Sequence, residues 1–222
     1  MARPVKTEQG KGNVEWTKQQ LIHAAAEQFS KFGFEGASLS KIREKVGVKN
    51  STILYHFKSK AGLYLAVTEH LESSFASTLS ELINSNEHLT ALERLGVFCK
   101  TLQSWGIEHQ NFTAIIIQEM MNKELHSANS LFYQNIGALF QQVIAFIKGD
   151  ESEDVWLDVN WQVCIVNIIF SILVGQAVSV AIPMAMGIDE AEYRTQQLDE
   201  IIRNQTLAMV RNRETALEFL RE

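Results

Sequence analysis

Apolar residues recur at helical spacing through the first third of the chain, between residues that favour helix ends. Thr17 and Gln20 have the spacing of a capping box and predict the start of a first helix, which Gly33 is expected to end. Ser38 is a candidate cap for a short second helix through Val46. The pattern therefore predicts one helix of ordinary length followed by a short one.

A glycine turn and two further capping positions follow. Gly47 can adopt the left-handed backbone of a tight turn, and Asn50 or Ser51 can cap a third helix through about Phe57. Ser59 can then cap a fourth, long helix. Its apolar stripe consists of Leu63, Val67, Leu71, Phe75, Leu79 and Leu82. Two short helices joined by a glycine turn are typical of a helix-turn-helix.

The rest of the chain also has a helical pattern, since no segment alternates cleanly as a strand would and the sequence has only 2 Pro. The further helices are expected at about residues 88–106, 111–124, 128–148, 153–182 and 190–219. The sequence thus predicts an all-α fold of about nine helices. Its expected parts are a flexible basic arm (1–13), a helix-turn-helix domain (14–63) and a larger helical domain (64–222).

Charge is distributed unevenly between the two ends of the chain. The net charge of the chain is −6, which by itself argues against a nucleic-acid partner. Residues 1–63, however, contain 11 Lys or Arg and 5 Asp or Glu, whereas residues 64–222 contain 9 and 21. A nucleic acid responds to the local field, so a basic N-terminal region on an acidic body favours DNA binding.

The N-terminal residues resemble the TetR-type transcriptional regulators of bacteria. The matching positions are Ala24, Ala25, Phe29, Gly33, Phe34, Ser38, Ile42, Gly47, Val48, Thr52, Ile53, Tyr55, His56, Phe57 and Lys60. The resemblance covers about residues 17–64. It implies a homodimeric, cytoplasmic regulator that binds a palindromic DNA operator with its helix-turn-helix and a small-molecule effector in its second domain.

Several positions depart from the family pattern. They are Ala37, Arg43, Lys49, Ser51 and Leu54. Leu54 replaces a tyrosine that commonly contacts DNA in the family, so it keeps an apolar contact and loses a hydroxyl. Operator preference therefore does not transfer from relatives.

The third helix is short enough to enter a major groove, and the residues near its start are placed to meet base edges. The base-edge candidates are Ser40, Lys49, Asn50, Ser51 and Leu54, and Asn50 can pair bidentately with adenine. The resemblance and the helix-start chemistry give the phosphate-contact candidates Ser38, Lys41, Thr52, Tyr55, His56 and Lys60. The alternative for Tyr55 and His56 is packing against the first helix. The arm before that helix is either a DNA tether or a solvated start.

A long stretch without charge, residues 159–188, raises a membrane-tethered regulator as an alternative. A stripe of polar and small residues opposes it, because lipid penalises such a stripe. The stripe comprises Asn160, Asn167, Ser171, Gly175 and Ser179. The favoured interpretation is a buried helix with one face on a cavity and the other on a second subunit.

The last helix has an apolar stripe that favours dimerisation through the last two long helices, as the resemblance implies. The stripe comprises Leu198, Ile201, Ile202, Met209, Leu217 and Leu220. The alternative is that these helices only close a monomeric core.

Aromatic and methionine side chains in the second domain favour an apolar or aromatic effector. The candidate pocket residues are Phe98, Leu102, Trp105, Ile116, Met120, Met121, Phe132, Phe140, Trp161 and Asn167. Each is also a plausible plain core residue.

No catalytic or metal-binding pattern stands out, and no cofactor is expected. Cys99 and Cys164 lack metal-type spacing, the six histidines are scattered, and no phosphate loop or nucleophile elbow occurs. No apolar run follows the basic N-terminal residues, so no secretory signal is expected. A helical enzyme with an incidental helix-turn-helix is the alternative from another functional class, and turnover without salt-dependent DNA binding would distinguish it.

Overall fold

The computed structural model describes residues 8–86, 88–121, 131–149, 155–179 and 181–221, which form eleven helices. They are α1 (Glu8–Gly36), α2 (Leu39–Val46), α3 (Asn50–Phe57), α4 (Lys60–Ser85), α5 (Ala91–Glu108), α6 (Gln110–Met121), α7 (Leu131–Lys148), α8 (Trp161–Val178), α9 (Ala181–Met186), α10 (Glu190–Met209) and α11 (Arg213–Phe219). Over these residues there is no strand beyond one isolated bridge, so the predicted all-α fold is confirmed.

The helix-turn-helix forms through the local signals that its sequence contains. The Ser38 side chain accepts a hydrogen bond from the backbone N–H of Lys41 (3.5 Å), and that of Ser59 accepts one from Gly62 (3.0 Å). Gly47 ends α2 in the left-handed region with φ 76°. These caps were all expected from the sequence.

Two helix starts differ from the prediction. α1 begins at Glu8, so Thr17 lies inside it and the second half of the expected arm is helical; residues 1–7 lie outside the described residues. A capping pattern marks only a possible start, and here the helix continues before it through Gly10 and Gly12, which local helix propensity does not predict. The cap of α3 is Lys49, in extended backbone and without a side-chain hydrogen bond, so the expected cap at Asn50 or Ser51 is wrong.

The core consists of two clusters of buried side chains. We call α1–α3 with the first half of α4 the head, and the helices that follow the body. Phe29, Ile42 and Phe57 lie in the head cluster, and Trp105 and Ile115 of the body join it. The boundary expected after residue 63 falls inside α4, which contributes to both clusters. Head and body therefore share a packed boundary.

Two of the long helices expected in the body differ from the prediction. The helix expected over 153–182 begins only at Trp161, where Asn160 caps α8, and the one expected over 190–219 is split between α10 and α11. The segment before α8 pairs instead with the segment after α10, through the hydrogen bonds Leu157 N–H to Met209 O (2.7 Å) and Arg211 N–H to Val155 O (2.9 Å). Because this pairing is tertiary, helical periodicity does not predict it.

The turn between α3 and α4 contains backbone strain. Lys58 has φ 66° and ψ −40°, a conformation that costs a residue with a side chain about 1–3 kcal/mol. We expect Lys58→Gly to raise the free energy of unfolding by about 0.5–1 kcal/mol, because glycine removes the strain but also makes the unfolded chain more flexible. Urea denaturation measures the change. Lys58→Ala is the control, since it removes the side chain and keeps the strain; an equal gain from both variants would contradict the explanation.

Candidate nucleic-acid interface and internal cavity

The α3 helix is amphipathic and presents one face to solvent. Ile53 is fully buried and Phe57 nearly so, which fixes the helix against the head core. On the opposite face the side chains of Leu54 and Tyr55 are 43% and 70% exposed. The exposed face is about two turns long, a size that fits a DNA major groove.

The N-terminal end of α3 presents polar side chains that are available for a partner. Lys49, Asn50 and Ser51 are all exposed. Within the described part of the chain their side chains make no hydrogen bond, and the Leu54 side chain lies one turn further along the helix. The structure thus brings four of the five base-edge candidates onto one surface.

The fifth candidate, Ser40, lies on α2 and is already engaged. Its hydroxyl donates a hydrogen bond to the Glu44 carboxylate (3.1 Å) and accepts one from the Arg43 guanidinium (3.1 Å). A contact between Ser40 and a base edge requires this group of three side chains to rearrange.

A broad groove of about 630 Å³ brings together several phosphate-contact candidates. It is lined by Val14, Thr17, Val48, Ser51, Thr52, Tyr55 and His56. Tyr55 contacts His56 edge-on, with ring centroids 5.1 Å apart, and its large exposure contradicts the alternative that it packs away against α1. The groove also includes Val14 and Thr17 of α1, which the sequence analysis did not assign to the site. The Thr17 hydroxyl was the available signal, but its spacing to Gln20 suggested only a cap.

Two further phosphate-contact candidates lie beside the last turns of α1. Lys41 lies over the Phe32 ring, with Nζ 5.3 Å from its centroid. Lys60 lies over the Phe34 ring at 5.1 Å and donates a hydrogen bond to the Glu35 carbonyl (2.9 Å). An ammonium group has three donors, so Lys60 can contact the end of α1 and still bind a phosphate.

A salt bridge joins the first two helices of the head. Lys31 (3.0 Å) and Lys45 both contact the Glu27 carboxylate. The hydrogen bonds from Lys45 and then Lys31 hold the pKa of Glu27 below its usual value. The carboxylate therefore stays ionised and connects α1 to the end of α2.

An internal cavity of about 70 Å³ lies between α4, α5, α6, α7 and α8. It is lined by Leu71, Glu72, Phe75, Leu102, Trp105, Ile116, Leu139, Phe140, Ile169 and Leu173. Four of the pocket candidates from the sequence are among them: Leu102, Trp105, Ile116 and Phe140. The contribution of α4 to the cavity was not predicted, because Leu71 and Phe75 fit equally well in an ordinary core stripe.

Three other pocket candidates do not line the cavity. Phe98 is buried in the body core, Trp161 packs edge-on against Trp156 (5.2 Å between centroids), and Asn167 is exposed on α8. The side chains of the last three candidates lie outside the described residues: Met120, Met121 and Phe132.

Asn167 belongs to an outward face of α8 that is largely apolar. Val163, Val166 and Phe170 on this face are 53%, 41% and 48% exposed. The apolar stripe of α10 is different, since Leu198 and its neighbours on that stripe pack into the core of their own chain. The stripe expected to form a dimer is therefore used internally, and the exposed apolar face is on α8.

The described residues also bear on metal binding, thiol chemistry and membrane insertion. They contain no group of three His, Cys, Asp or Glu side chains suited to a metal ion. Burial raises the pKa of the Cys99 thiol to about 12 and also raises that of Cys164, so both thiols stay protonated at neutral pH. None of the described helices combines the length and the apolarity that a bilayer span requires.

Comparison with known proteins matches the helix-turn-helix region. Residues 21–67 match the model of the bacterial regulatory proteins of the tetR family. The chain is 28% identical over 133 residues to the HTH-type transcriptional repressor NicS of Pseudomonas putida, covering 60% of each protein. It is 43% identical over 54 residues to the HTH-type transcriptional regulator RutR of Escherichia coli K12, covering 24% of this chain and 26% of RutR. The matches thus span less than two thirds of either relative.

The fold has relatives among solved structures. A tetR family transcription regulator from Shewanella sp. PV-4 superposes with a TM-score of 0.65 at 17% identity, over 88% of this chain and 99% of that one. At this identity the similarity concerns the fold alone. The matched model describes bacterial regulatory proteins, and the two curated relatives are a transcriptional repressor and a transcriptional regulator.

Proposed function

We propose that this chain is a ligand-responsive, sequence-specific transcriptional regulator of the tetR type, because residues 21–67 match the model of the tetR family of bacterial regulatory proteins. In this proposal it is a cytoplasmic homodimeric repressor, released from a palindromic operator by an apolar or aromatic small molecule. The main observation in support of the proposed DNA binding is the exposed N-terminal end of α3. There the side chains of Lys49, Asn50 and Ser51 make no hydrogen bond to any described residue, on a helix that the core holds in place.

Base reading and backbone binding are assigned to different sides of α3. Asn50 and Lys49 have the donors and acceptors that read base edges in a major groove, whereas Leu54 offers an apolar contact to a thymine methyl. Thr52, Tyr55 and His56 border the groove beside α1, where hydroxyl and imidazole groups can bind phosphates and fix the register.

A dimer is proposed because one head offers too few contacts for a useful affinity. The exposed apolar face of α8, with Val163, Val166 and Phe170, supports an interface with a second copy. The two heads of a two-fold dimer then bind two half-sites related by the same symmetry.

The effector site is proposed at the cavity of the body. Its lining is apolar except for Glu72, which favours an apolar or aromatic ligand. Trp105 lines this cavity and also belongs to the hydrophobic cluster of the head. A ligand that moves Trp105 therefore acts on the packing between head and body, and the two binding events become coupled.

Selection of bound duplexes from a random DNA pool at near-physiological salt tests the proposal. A palindromic motif is the expected result with the full-length protein. Failure to enrich any motif would overturn it, and the membrane-tethered alternative would be favoured if the protein sedimented with membranes and resisted high-salt extraction. Repression or activation then depends on where the motif lies relative to a promoter.

Two substitutions separate base reading from phosphate binding. Asn50→Ala is expected to relax preference at one position of the operator, with a loss of about 1–3 kcal/mol there. Lys60→Ala is expected to weaken all sequences about equally and to lower the salt slope by about 1. Fluorescence anisotropy with matched and mismatched duplexes over a salt series measures both.

Lys148→Ala, in the body, is the control for the loss of one positive charge. It should leave the salt slope and the preference unchanged. The same change of base preference in the Asn50 and Lys60 variants would contradict the division of roles.

A further inference from the structure

Three histidines lie near one another on α1, on α4 and at the end of α5, close enough that the charges of His23 and His109 act on His70. His23 of α1 and His70 of α4 contact edge-on, with ring centroids 5.5 Å apart. His109, at the end of α5, shares a hydrogen bond of 3.0 Å between its Nε2 and the hydroxyl of Ser74 on α4. The head helix α1, the linking helix α4 and the body helix α5 therefore each contribute one imidazole.

This histidine junction is continuous with the wall of the cavity. The Trp105 ring, which lines the cavity, stacks on His109 with centroids 4.7 Å apart and planes at 17°. Its Nε1 donates a hydrogen bond to the same Ser74 hydroxyl (3.3 Å). On α4, Leu71 lies on the cavity and directly follows His70. A ligand in the cavity thus contacts side chains that also contact the junction.

Four carboxylates lie close in sequence to these histidines on the helices of the junction, and the pKa of His70 is shifted by burial and by the two other histidines rather than by these carboxylates. On α1, Glu27 lies one turn beyond His23 and is engaged by two lysines. On α4, Glu69 and Glu72 flank His70, and on α5 the exposed Glu108 precedes His109. Among the described side chains, α6 contributes only a neutral group here, Asn111, to a groove of about 360 Å³ that also borders His23. Burial first, then the charges of His23 and His109, lower the pKa of His70.

Protonation of His70 favours separation of the junction. When His70 is neutral its ring packs against that of His23, whereas a protonated His70 loses solvation in this arrangement and is repelled by positive charge on His23 and His109. A junction that separates returns His70 to water and to its ordinary pKa, so the separated arrangement binds more protons. Acidification through about pH 6.5 therefore favours separation, and neutral or basic pH favours packing.

We propose that His23, His70 and His109 form a proton-sensitive junction between the effector cavity and the DNA-binding head, which makes operator affinity depend on pH. The inference rests on the proposed function, since it assumes that two arrangements of head and body bind the operator differently. It adds a second input, the proton, that acts on the same boundary as the effector.

The operator dissociation constant of the full-length protein, measured at pH 7.5 and pH 5.5 at constant salt, tests the junction. The duplex is the one recovered by selection. We expect a change on the order of fivefold in the wild type and under about twofold in His70→Gln, because glutamine does not titrate. His56 on the DNA face is present in both proteins, so its contribution cancels in the comparison.

Two further variants make the result decisive. His23→Gln, at an exposed position on the other side of the ring contact, should also reduce the pH dependence, and it replaces His70→Gln if that variant does not fold. His88→Gln, outside the junction, should behave as the wild type does. Equal pH dependence in the wild type and both junction variants would overturn the junction, as would its absence from the wild type. No operator binding at pH 7.5 would overturn the proposed function itself.

Discussion

Substitution of alanine for Gly62 is expected to lower the free energy of unfolding by about 3 kcal/mol and to abolish specific DNA binding. A Cβ atom at this position of α4 would overlap the carbonyl oxygen of Phe57 and lie 3.1 Å from its carbonyl carbon. These are backbone atoms, so no side-chain rotation relieves the overlap. Since Phe57 belongs to the head core, the end of α3 must move away from α4.

Gly137→Ala is the matched control for this change. Gly137 lies in α7, and a Cβ added there meets nothing within 4 Å. Alanine should therefore stabilise the protein by about 0.5–1 kcal/mol through its higher helix propensity. Urea denaturation followed by circular dichroism, together with operator affinity, compares the two variants. Equal stability of the Gly62 variant and the wild type would show that the contact between α3 and α4 adjusts without cost.

Local signals explain why the head could be predicted in detail. Ser38, Gly47 and Ser59 each act on backbone groups within a few residues, and all three take the predicted role. The wrong prediction for the start of α1 also came from a local signal. Thr17 carries a valid local signal, but the helix already extends through it from Glu8. A cap is predictable from its neighbours, whereas the position of a helix start also depends on what precedes it.

The body was predicted less well because its divisions depend on distant contacts. The segments before α8 and after α10 pair with each other through an isolated bridge between Trp156 and Val210. No periodicity within either segment indicates this pairing. The orientation of α8 is a similar case, because its stripe of polar and small residues did not indicate which way the helix faces: Asn167 was expected in the pocket and is exposed, whereas Ile169 lines the cavity.

In the candidate site, too, the residues that are close in sequence could be predicted together, and those brought together by helix packing could not. Tyr55 and His56 belong to a motif of consecutive residues, so the sequence indicated that they lie together, as they do. The cavity instead combines residues from five helices, and Leu71 of α4 carries the same apolar signal as any core leucine. Which apolar residues border a void depends on how the helices pack, and sequence spacing does not determine this packing.

The exposed face of α8 leads to the second large effect. Phe170→Glu is expected to raise the dissociation constant of the dimer by about 100-fold or more, because it removes a large apolar contact and brings carboxylates into the interface. The operator affinity should fall by about 100-fold as well, since a monomer cannot bind two half-sites at once. Sedimentation equilibrium and anisotropy with the selected operator measure the two effects.

Leu65→Glu is the matched control for oligomeric state. Leu65 is 45% exposed on α4 and Phe170 is 48% exposed on α8, so both changes place glutamate at a half-exposed apolar position. Only the α8 position lies on a face where Val163 and Val166 extend the apolar surface. Dissociation in the Phe170 variant alone supports this face as the interface. An unchanged dimer in that variant would assign dimerisation to another surface, and the apolar residues of α8 would then require a different partner.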